Sequence, residues 1–228
     1  MIGFGSEMRP MRKLLLIIAV LLFAALSLAF VYGAKGWYDA KQSADPLKAR
    51  AQALIGSDRG ANSLTPERLA VLLKVQDPGF YTHSGVDLAT PGAGLTTLTQ
   101  SLSKRLAFEE FKPGVQKIRQ SGYAIGLDSV LTKEEQIALF LDTVGMGNSR
   151  DGWVTGFHKA SQTFFNAGPN DITIEQFYAL VAVLIAPSRL KLNAPDQVLQ
   201  ERVQRIERLA ENNCQPNAFD DVWLDGCA

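Results

Sequence analysis

An uncharged apolar run near the N-terminus is the feature that most constrains how this chain folds. Residues 14–33 (LLLIIAVLLFAALSLAFVYG) contain no charged side chain. As a helix this run would be about 30 Å long, which is the thickness of a bilayer core. Arg9, Arg12 and Lys13 precede it, and such positive flanks stay on the cytoplasmic side. The pattern predicts a cytoplasmic N-terminus at residues 1–13, one transmembrane helix at residues 14–33 and a remainder outside the cytoplasm.

A cleavable signal peptide is the alternative interpretation of the same run. Ser27, Leu28 and Ala29 fit the small-x-small cleavage pattern. We favour an uncleaved anchor because the apolar run continues past this site. The chain is exported in both cases, and export favours a disulfide between Cys214 and Cys227 in a C-terminal tail at residues 213–228. A chain retained in the cytoplasm would instead carry two reduced thiols.

Composition argues against two classes of function. The 228 residues carry 23 Lys and Arg against 23 Asp and Glu, whereas binding to nucleic-acid phosphates needs a clustered positive excess. The chain has two histidines and two cysteines without metal-ligand spacing. We therefore expect no nucleic-acid partner and no dedicated metal site.

The region after the apolar run has mainly helical signals, and we predict a mainly α fold. Thr132 with Glu135 and Thr173 with Gln176 form capping boxes that open helices. Residues 34–62 are predicted to be a polar juxtamembrane linker, and residues 63–212 the folded domain. Gly122 and Gly126 weaken the helical prediction for residues 115–131. The glycine-rich residues 145–152 are predicted to be a loop, since no segment alternates convincingly with period two.

Five blocks of sequence, in order, resemble the peptidoglycan glycosyltransferases of family 51, which polymerise lipid II. Residues 76–87 (QDPGFYTHSGVD) resemble that family's E-D-x-x-F-x-x-H-x-G-x-D motif. The other blocks are residues 94–104 (GLTTLTQSLSK, for G-x-S-T-x-T-Q-Q-L-x-K), 116–120 (QKIRQ, for R-K-x-x-E), 133–142 (KEEQIALFLD, for K-x-E-I-L-E-x-Y-L-N) and 156–165 (GFHKASQTFF, for G-I-x-x-A-A-x-x-Y-F). The resemblance implies a lysozyme-like glycosyltransferase domain, tethered to the bacterial inner membrane by one N-terminal helix and lying on its periplasmic side.

The resemblance also assigns site residues. Gln76 and Gln120 stand at the two positions where the family has its catalytic glutamates, and Asp77 follows the first of them. The positions matched to substrate-binding residues are His83, Thr96, Thr97, Gln100, Lys104 and Lys117. The ligands implied are lipid II or a glycan strand, with a cell-wall synthase as a further possible partner. No cofactor is implied, and the sequence offers no support for Mg²⁺.

The departures from the family pattern bear on catalysis. An amide at position 76 cannot accept the proton of the attacking sugar hydroxyl, and general-base help is worth about 10²- to 10⁴-fold. The arginine of the third block is replaced by Gln116, and the last asparagine of the fourth block by Asp142. Six residues separate Asp87 from Gly94, where the family has a longer mobile segment.

Three functions remain open on the sequence. The first is a membrane-anchored, non-catalytic or impaired relative that binds lipid II or glycan. The second is an active, divergent glycosyltransferase in which Asp77 or the substrate manages the proton. A lysozyme-like glycan cleaver is the third, although the blocks do not provide the two flanking carboxyl groups that such an enzyme needs.

Overall fold

The computed structural model describes residues 8–228, with side chains from residue 11 onward. Within that range the chain is mainly helical, as predicted, with nine α-helices and one β-hairpin. The elements in chain order are α1 (Met8–Gln42), α2 (Ala44–Gly56), α3 (Pro66–Gln76), α4 (Leu98–Ala107), α5 (Gln116–Asp128), α6 (Lys133–Thr143), β1 (Gly145–Ser149), β2 (Gly152–Thr155), α7 (Phe157–Phe165), α8 (Ile174–Val183) and α9 (Gln197–Ala210). Residues 1–7 of the predicted cytoplasmic N-terminus lie outside the described range.

The apolar run forms the first part of α1, and its side chains face outward. Leu16, Phe23 and Phe30 are 65%, 73% and 77% exposed. Between residues 8 and 228 this is the one helix long and apolar enough to cross a membrane. Exposed apolar side chains are stable in lipid and costly in water, so this helix fits the predicted transmembrane segment.

The stretch predicted to be a polar linker is helical and packs on the domain. Helix α1 continues to Gln42, and α2 follows it after a single residue. Ala40, Ala51 and Leu54 of this stretch are buried. The charged residues that suggest a linker lie on helices α1 and α2 rather than in an extended chain. One of them, Asp39, accepts a 2.7 Å hydrogen bond from Arg119 of α5. The end of helix α1 is therefore packed on the domain as well as joined to it through the chain.

Glycines bring α1 and α5 into main-chain contact. A Cβ at Gly122 would overlap the main-chain oxygen of Gly33, and a Cβ at Gly36 would overlap that of Arg119. The residues that weaken the helical prediction for α5 are thus the ones that allow α5 to lie against α1. Packing with the neighbouring helix outweighs the cost of about 1 kcal/mol that glycine adds to a helix.

Two apolar cores meet at α6. Ile137, Phe140 and Leu141 pack into the larger core with α3, α7, α8 and α9, while Ala138 and Leu139 pack into a smaller core with α1, α2, α4 and α5. Thr132 caps α6 in the predicted capping box, and Thr173 caps α8 in the same way. Helix α6 therefore fixes the two halves of the domain relative to each other.

The glycine-rich stretch after α6 is a β-hairpin, so the prediction of a loop there is wrong. Strand β1 pairs antiparallel with β2, with Gly145 opposite Thr155 and Ser149 opposite Gly152. Met146 and Val154 are buried in the larger core. Glycines in the hairpin obscure the period-two alternation by which a strand is recognised in a sequence. At Gly147 a glycine is needed, because a Cβ there would lie 2.7 Å from the main-chain oxygen of Pro187.

Candidate active site

A cleft of about 480 Å³ lies beside the larger core, of which Val75, Leu98 and Phe140 reach its lining. Its walls come from the end of α3, the segment at residues 92–98, α4, α6, the end of α8, α9 and the C-terminal tail. Four predicted site residues line it, namely Gln76, Thr96, Thr97 and Lys104. The first two motif blocks, which are separated by six residues along the chain, therefore contribute to one site.

Asp77 faces the interior rather than the cleft. Its side chain is fully buried. The Nε2 atom of His83 lies 2.9 Å from Asp77 Oδ1, and the main-chain N–H of Leu98 donates to Oδ2 at 2.8 Å. Both carboxylate oxygens are thus engaged, and Asp77 ties the end of α3 to the start of α4.

His83 is oriented by two hydrogen bonds. Its Nδ1 accepts from the main-chain N–H of Gly85 at 3.0 Å, so Nε2 carries the proton that it donates to Asp77. Asp77, His83 and Asp87 form the cluster of potential metal ligands in the described part of the chain. Both ring nitrogens of His83 have partners among the described residues, so a metal ion bound here would displace one of these hydrogen bonds.

Thr97 and Gln100 form the N-terminal cap of α4. The Gln100 main-chain N–H donates to Thr97 Oγ1, and the Thr97 main-chain N–H donates to Gln100 Oε1, each at 3.1 Å. Thr97 Oγ1 also donates to the main-chain oxygen of Gly85 at 2.7 Å. These contacts hold the second motif block against the first, with Thr97 at the border of the cleft.

Gln120 is buried behind the cleft, in contrast to Gln76. Its Nε2 donates to the main-chain oxygen of Gln100 at 2.7 Å. A carboxylate at this position could not donate that hydrogen bond. The Oε1 atom of Gln120 is buried without a hydrogen-bond partner among the described residues.

Two lysines give the cleft a positive border. Lys104 lines the cleft directly, and Lys117 Nζ donates to Thr96 Oγ1 at 2.6 Å. Burial lowers the pKa of Lys104, and the positive charge of Arg105 lowers it further. Burial also lowers the pKa of Lys117, with a contribution from Lys104. Neither lysine forms an ion pair with a described residue.

Arg105 is a cation beside the cleft that no motif position indicates. It donates to Ser101 Oγ at 2.8 Å and to Thr143 Oγ1 at 3.0 Å, and it lies over the ring of Phe140. Burial lowers its pKa to about 10. Arginine directly follows the motif lysine in the sequence, but nothing in the spacing indicates that it is buried.

The C-terminal tail supplies a wall of the cleft that the motif blocks do not indicate. Asp220 and Val222 line it, together with Arg202 of α9. Arg202 is 2% exposed and donates to the main-chain oxygen of Val222 at 3.0 Å. A disulfide joins Cys214 to Cys227, which brings the two ends of this tail together.

Asp142 lies away from the cleft. Its carboxylate accepts hydrogen bonds from Arg50 at 2.6 Å and from Arg59 at 2.7 Å. The change from asparagine thus creates a link from α6 to α2 and to the loop after it. These two ion pairs add to the attachment of the N-terminal helices to the domain.

Taken together, the fold and site define a mainly helical domain, joined to one apolar N-terminal helix and carrying a cleft with a positive border. The transglycosylase family model matches residues 56–210, which are more than half of the chain. The protein therefore belongs to the transglycosylase family, which is glycosyltransferase family 51.

Individual relatives agree with this membership. Penicillin-binding protein 1B of Buchnera aphidicola is 33% identical over 133 residues, which are 52% of this chain and 18% of that protein. The biosynthetic peptidoglycan transglycosylase of Pectobacterium carotovorum is 27% identical over 158 residues, which are 64% of this chain and 63% of that protein. Penicillin-binding protein 1A of Haemophilus influenzae is 27% identical over 139 residues. The chain thus spans less than two thirds of the length of these relatives.

Proposed function

We propose that this protein binds lipid II or a glycan strand in the cleft and has lost, or nearly lost, the polymerising reaction of its family. The observation that carries the proposal is the side chain at position 76. Gln76 lines the cleft where the family motif has its glutamate, and an amide is no base near neutral pH. The cleft thus has an amide at the position where the family has the carboxylate of its catalytic base.

The geometry of Asp77 argues against its serving as the replacement base. Turning its carboxylate into the cleft would break the hydrogen bonds from His83 and from the Leu98 N–H. Each buried donor left without a partner costs about 1–3 kcal/mol. A base must also lie within hydrogen-bond reach of the proton it removes. Asp77 is therefore assigned to holding α3 and α4 together.

The retained lysines support ligand binding. Lys104 borders the cleft and Lys117 is linked to it through Thr96. The low local dielectric that lowers their pKa values also strengthens their attraction for a phosphate group. The pyrophosphate of a lipid-linked saccharide is an anion of the required kind, and its lipid tail would lie in the membrane that holds α1.

The proposal places α1 in the bacterial inner membrane and the domain on the outer side of that membrane. The support is the basic flank before an exposed apolar helix. A binding domain held at that surface could regulate or scaffold wall assembly, with a cell-wall synthase as its protein partner.

Binding is tested with the full chain in detergent micelles and lipid II as the probe. Lys104→Gln with Lys117→Gln should weaken binding at least tenfold, because each charged hydrogen bond contributes about 1.5–3 kcal/mol. Lys159→Gln removes one exposed positive charge on α7 that does not border the cleft, and this control should bind normally. An unchanged affinity of the double variant for lipid II would contradict the assignment of the cleft as the binding site.

An active, divergent glycosyltransferase is the competing function, and polymerisation of lipid II separates the two. If Asp77 were the base, the unmodified protein would form polymer, Asp77→Asn would abolish it and Gln76→Ala would not. Lipid II binding by the Asp77→Asn variant, measured in parallel, shows whether its cleft still forms. We expect no polymer from the unmodified protein.

A further inference from the structure

The C-terminal loop, residues 214–227, is a rigid structure rather than a loose tail. The disulfide between Cys214 and Cys227 closes it. Inside the loop, the Asp221 carboxylate accepts three main-chain hydrogen bonds of 2.7–2.9 Å, from the N–H groups of Asn217, Asp225 and Gly226. Because a covalent bond and an internal carboxylate restrain this loop, it loses little conformational entropy when it binds a ligand.

Helix α9 holds the C-terminal loop from one side. Three arginines, one helical turn apart, donate to main-chain oxygens of the loop at 3.0–3.1 Å, with Arg202 bonded to Val222, Arg205 to Trp223 and Arg208 to Cys227. The guanidinium of Arg202 also lies over the ring of Trp223. The position of the loop is thus fixed by a regular pattern of side chains on a well-packed helix.

On its other side the C-terminal loop holds the segment that borders the cleft. The main-chain N–H of Gly92 donates to Ala218 at 2.9 Å, and that of Gly94 donates to Phe219 at 2.8 Å. Gly94 has a φ of +61°, and a Cβ there would overlap Val222. This segment is the one that is shorter than in the family motif. The loop therefore supports the cleft where the longer mobile segment is missing.

The same loop brings an exposed acidic residue to the lining of the cleft. Asp220 and Val222 both line it, and Asp220 is the one acidic residue among the described residues that do so. The polar side chains contributed by the motif blocks are neutral or positive there, namely Gln76, Thr96, Thr97, Ser101 and Lys104. The cleft thus has an acidic group from the loop in addition to its positive border.

We propose that the C-terminal loop is a ligand-contacting wall of the cleft, in which Asp220 accepts hydrogen bonds from saccharide hydroxyl groups. The proposal rests on the proposed function and specifies how the ligand lies. A carboxylate accepts two hydroxyl donors and repels phosphate, so the uncharged sugar lies against Asp220 and the pyrophosphate against Lys104. Val222 offers an apolar surface beside it. Asp220 thereby acts as a specificity-determining residue that the family motifs do not contain.

The experiment compares two probes on the full chain in detergent micelles. Chitotetraose carries hydroxyl groups and no charge, whereas undecaprenyl pyrophosphate carries the anion and no sugar. Asp220→Asn should weaken chitotetraose binding about tenfold, the value of one charged hydrogen bond, and should leave undecaprenyl pyrophosphate binding equal or tighter. Asp151→Asn removes one exposed carboxylate at the hairpin turn and should change neither affinity.

A second variant tests the loop itself. Cys214→Ser with Cys227→Ser should also weaken chitotetraose binding selectively, because the wall loses its covalent closure. Unchanged chitotetraose affinity in Asp220→Asn would overturn the proposal, even if lipid II still bound through the lysines. Failure of the unmodified protein to bind lipid II and chitotetraose at all would overturn the proposed function together with it.

Discussion

Replacing Gly122 with alanine sets two physical effects against each other. Alanine favours a helix over glycine by about 1 kcal/mol, so propensity alone predicts a more stable protein. In the structure, however, the new Cβ would overlap the main-chain oxygen of Gly33. A methyl group and a main-chain atom have no rotamer that relieves the overlap, so α5 and α1 must move apart. Overpacking of this kind costs about 1–3 kcal/mol, so after the helix-propensity gain of about 1 kcal/mol we expect a net loss of up to about 2 kcal/mol.

The assay is thermal unfolding of the full chain in detergent micelles, followed by circular dichroism. For a protein of this size the expected loss lowers Tm by up to about 8 °C. Gly56→Ala is the matched control, since Gly56 ends α2 and a Cβ there meets nothing within 4 Å. The control should leave Tm equal or slightly higher. A Gly122→Ala variant that gains stability as the control does would refute the close packing of α1 on α5.

Three further outcomes follow from the site and its surroundings. Cys214 and Cys227 should resist alkylation until a reductant is added, and reduction should lower stability by about 3 kcal/mol in the loop-entropy model; equal thiol labelling before and after reduction would contradict the disulfide. Asp77→Asn should destabilise the protein by about 2–5 kcal/mol in chemical unfolding, because it removes a buried, hydrogen-bonded charge; an unchanged unfolding midpoint would count against its structural role. Affinity for undecaprenyl pyrophosphate should fall as pH rises through the lowered pKa values of Lys104 and Lys117. The fall should therefore begin at a lower pH than the ordinary lysine pKa of about 10.4. An affinity that does not change below about pH 10.4 would contradict the role of these lysines.

The helical framework is predictable from the sequence because its signals are local. The capping boxes at Thr132 and Thr173 and the proline after Thr65 mark the helix starts that the structure has. The apolar run likewise predicts the first helix. The β-hairpin at residues 145–155 is not predictable in this way, because glycines in a sequence usually indicate a loop. Here Gly145 and Gly147 instead allow close packing against Trp153 and Pro187.

The candidate site is predictable only where a motif carries it. The order of the motif blocks predicts that Gln76, Thr96 and Lys104 share one site, and all three line the cleft. The burial of Asp77 depends on its contact with Leu98, 21 residues later, which no local pattern specifies. The same holds for Asp220, which reaches the cleft because α9 and the disulfide position the C-terminal loop. Long-range contacts of this kind are set by tertiary packing, and a single sequence does not display them.

The rate of lipid II polymerisation by the unmodified protein, compared with its Gln76→Glu variant in the same micelles, tests the central claim most directly. The single substitution is the cleaner one, because Gln120 is buried and donates to Gln100, so a glutamate there would disturb the fold. A carboxylate restored at the cleft should raise the rate by about 10²- to 10⁴-fold over an unmodified protein that stays at background. Polymer formed by the unmodified protein at the rate of the Gln76→Glu variant would contradict the claim that this cleft binds its ligand without a catalytic base.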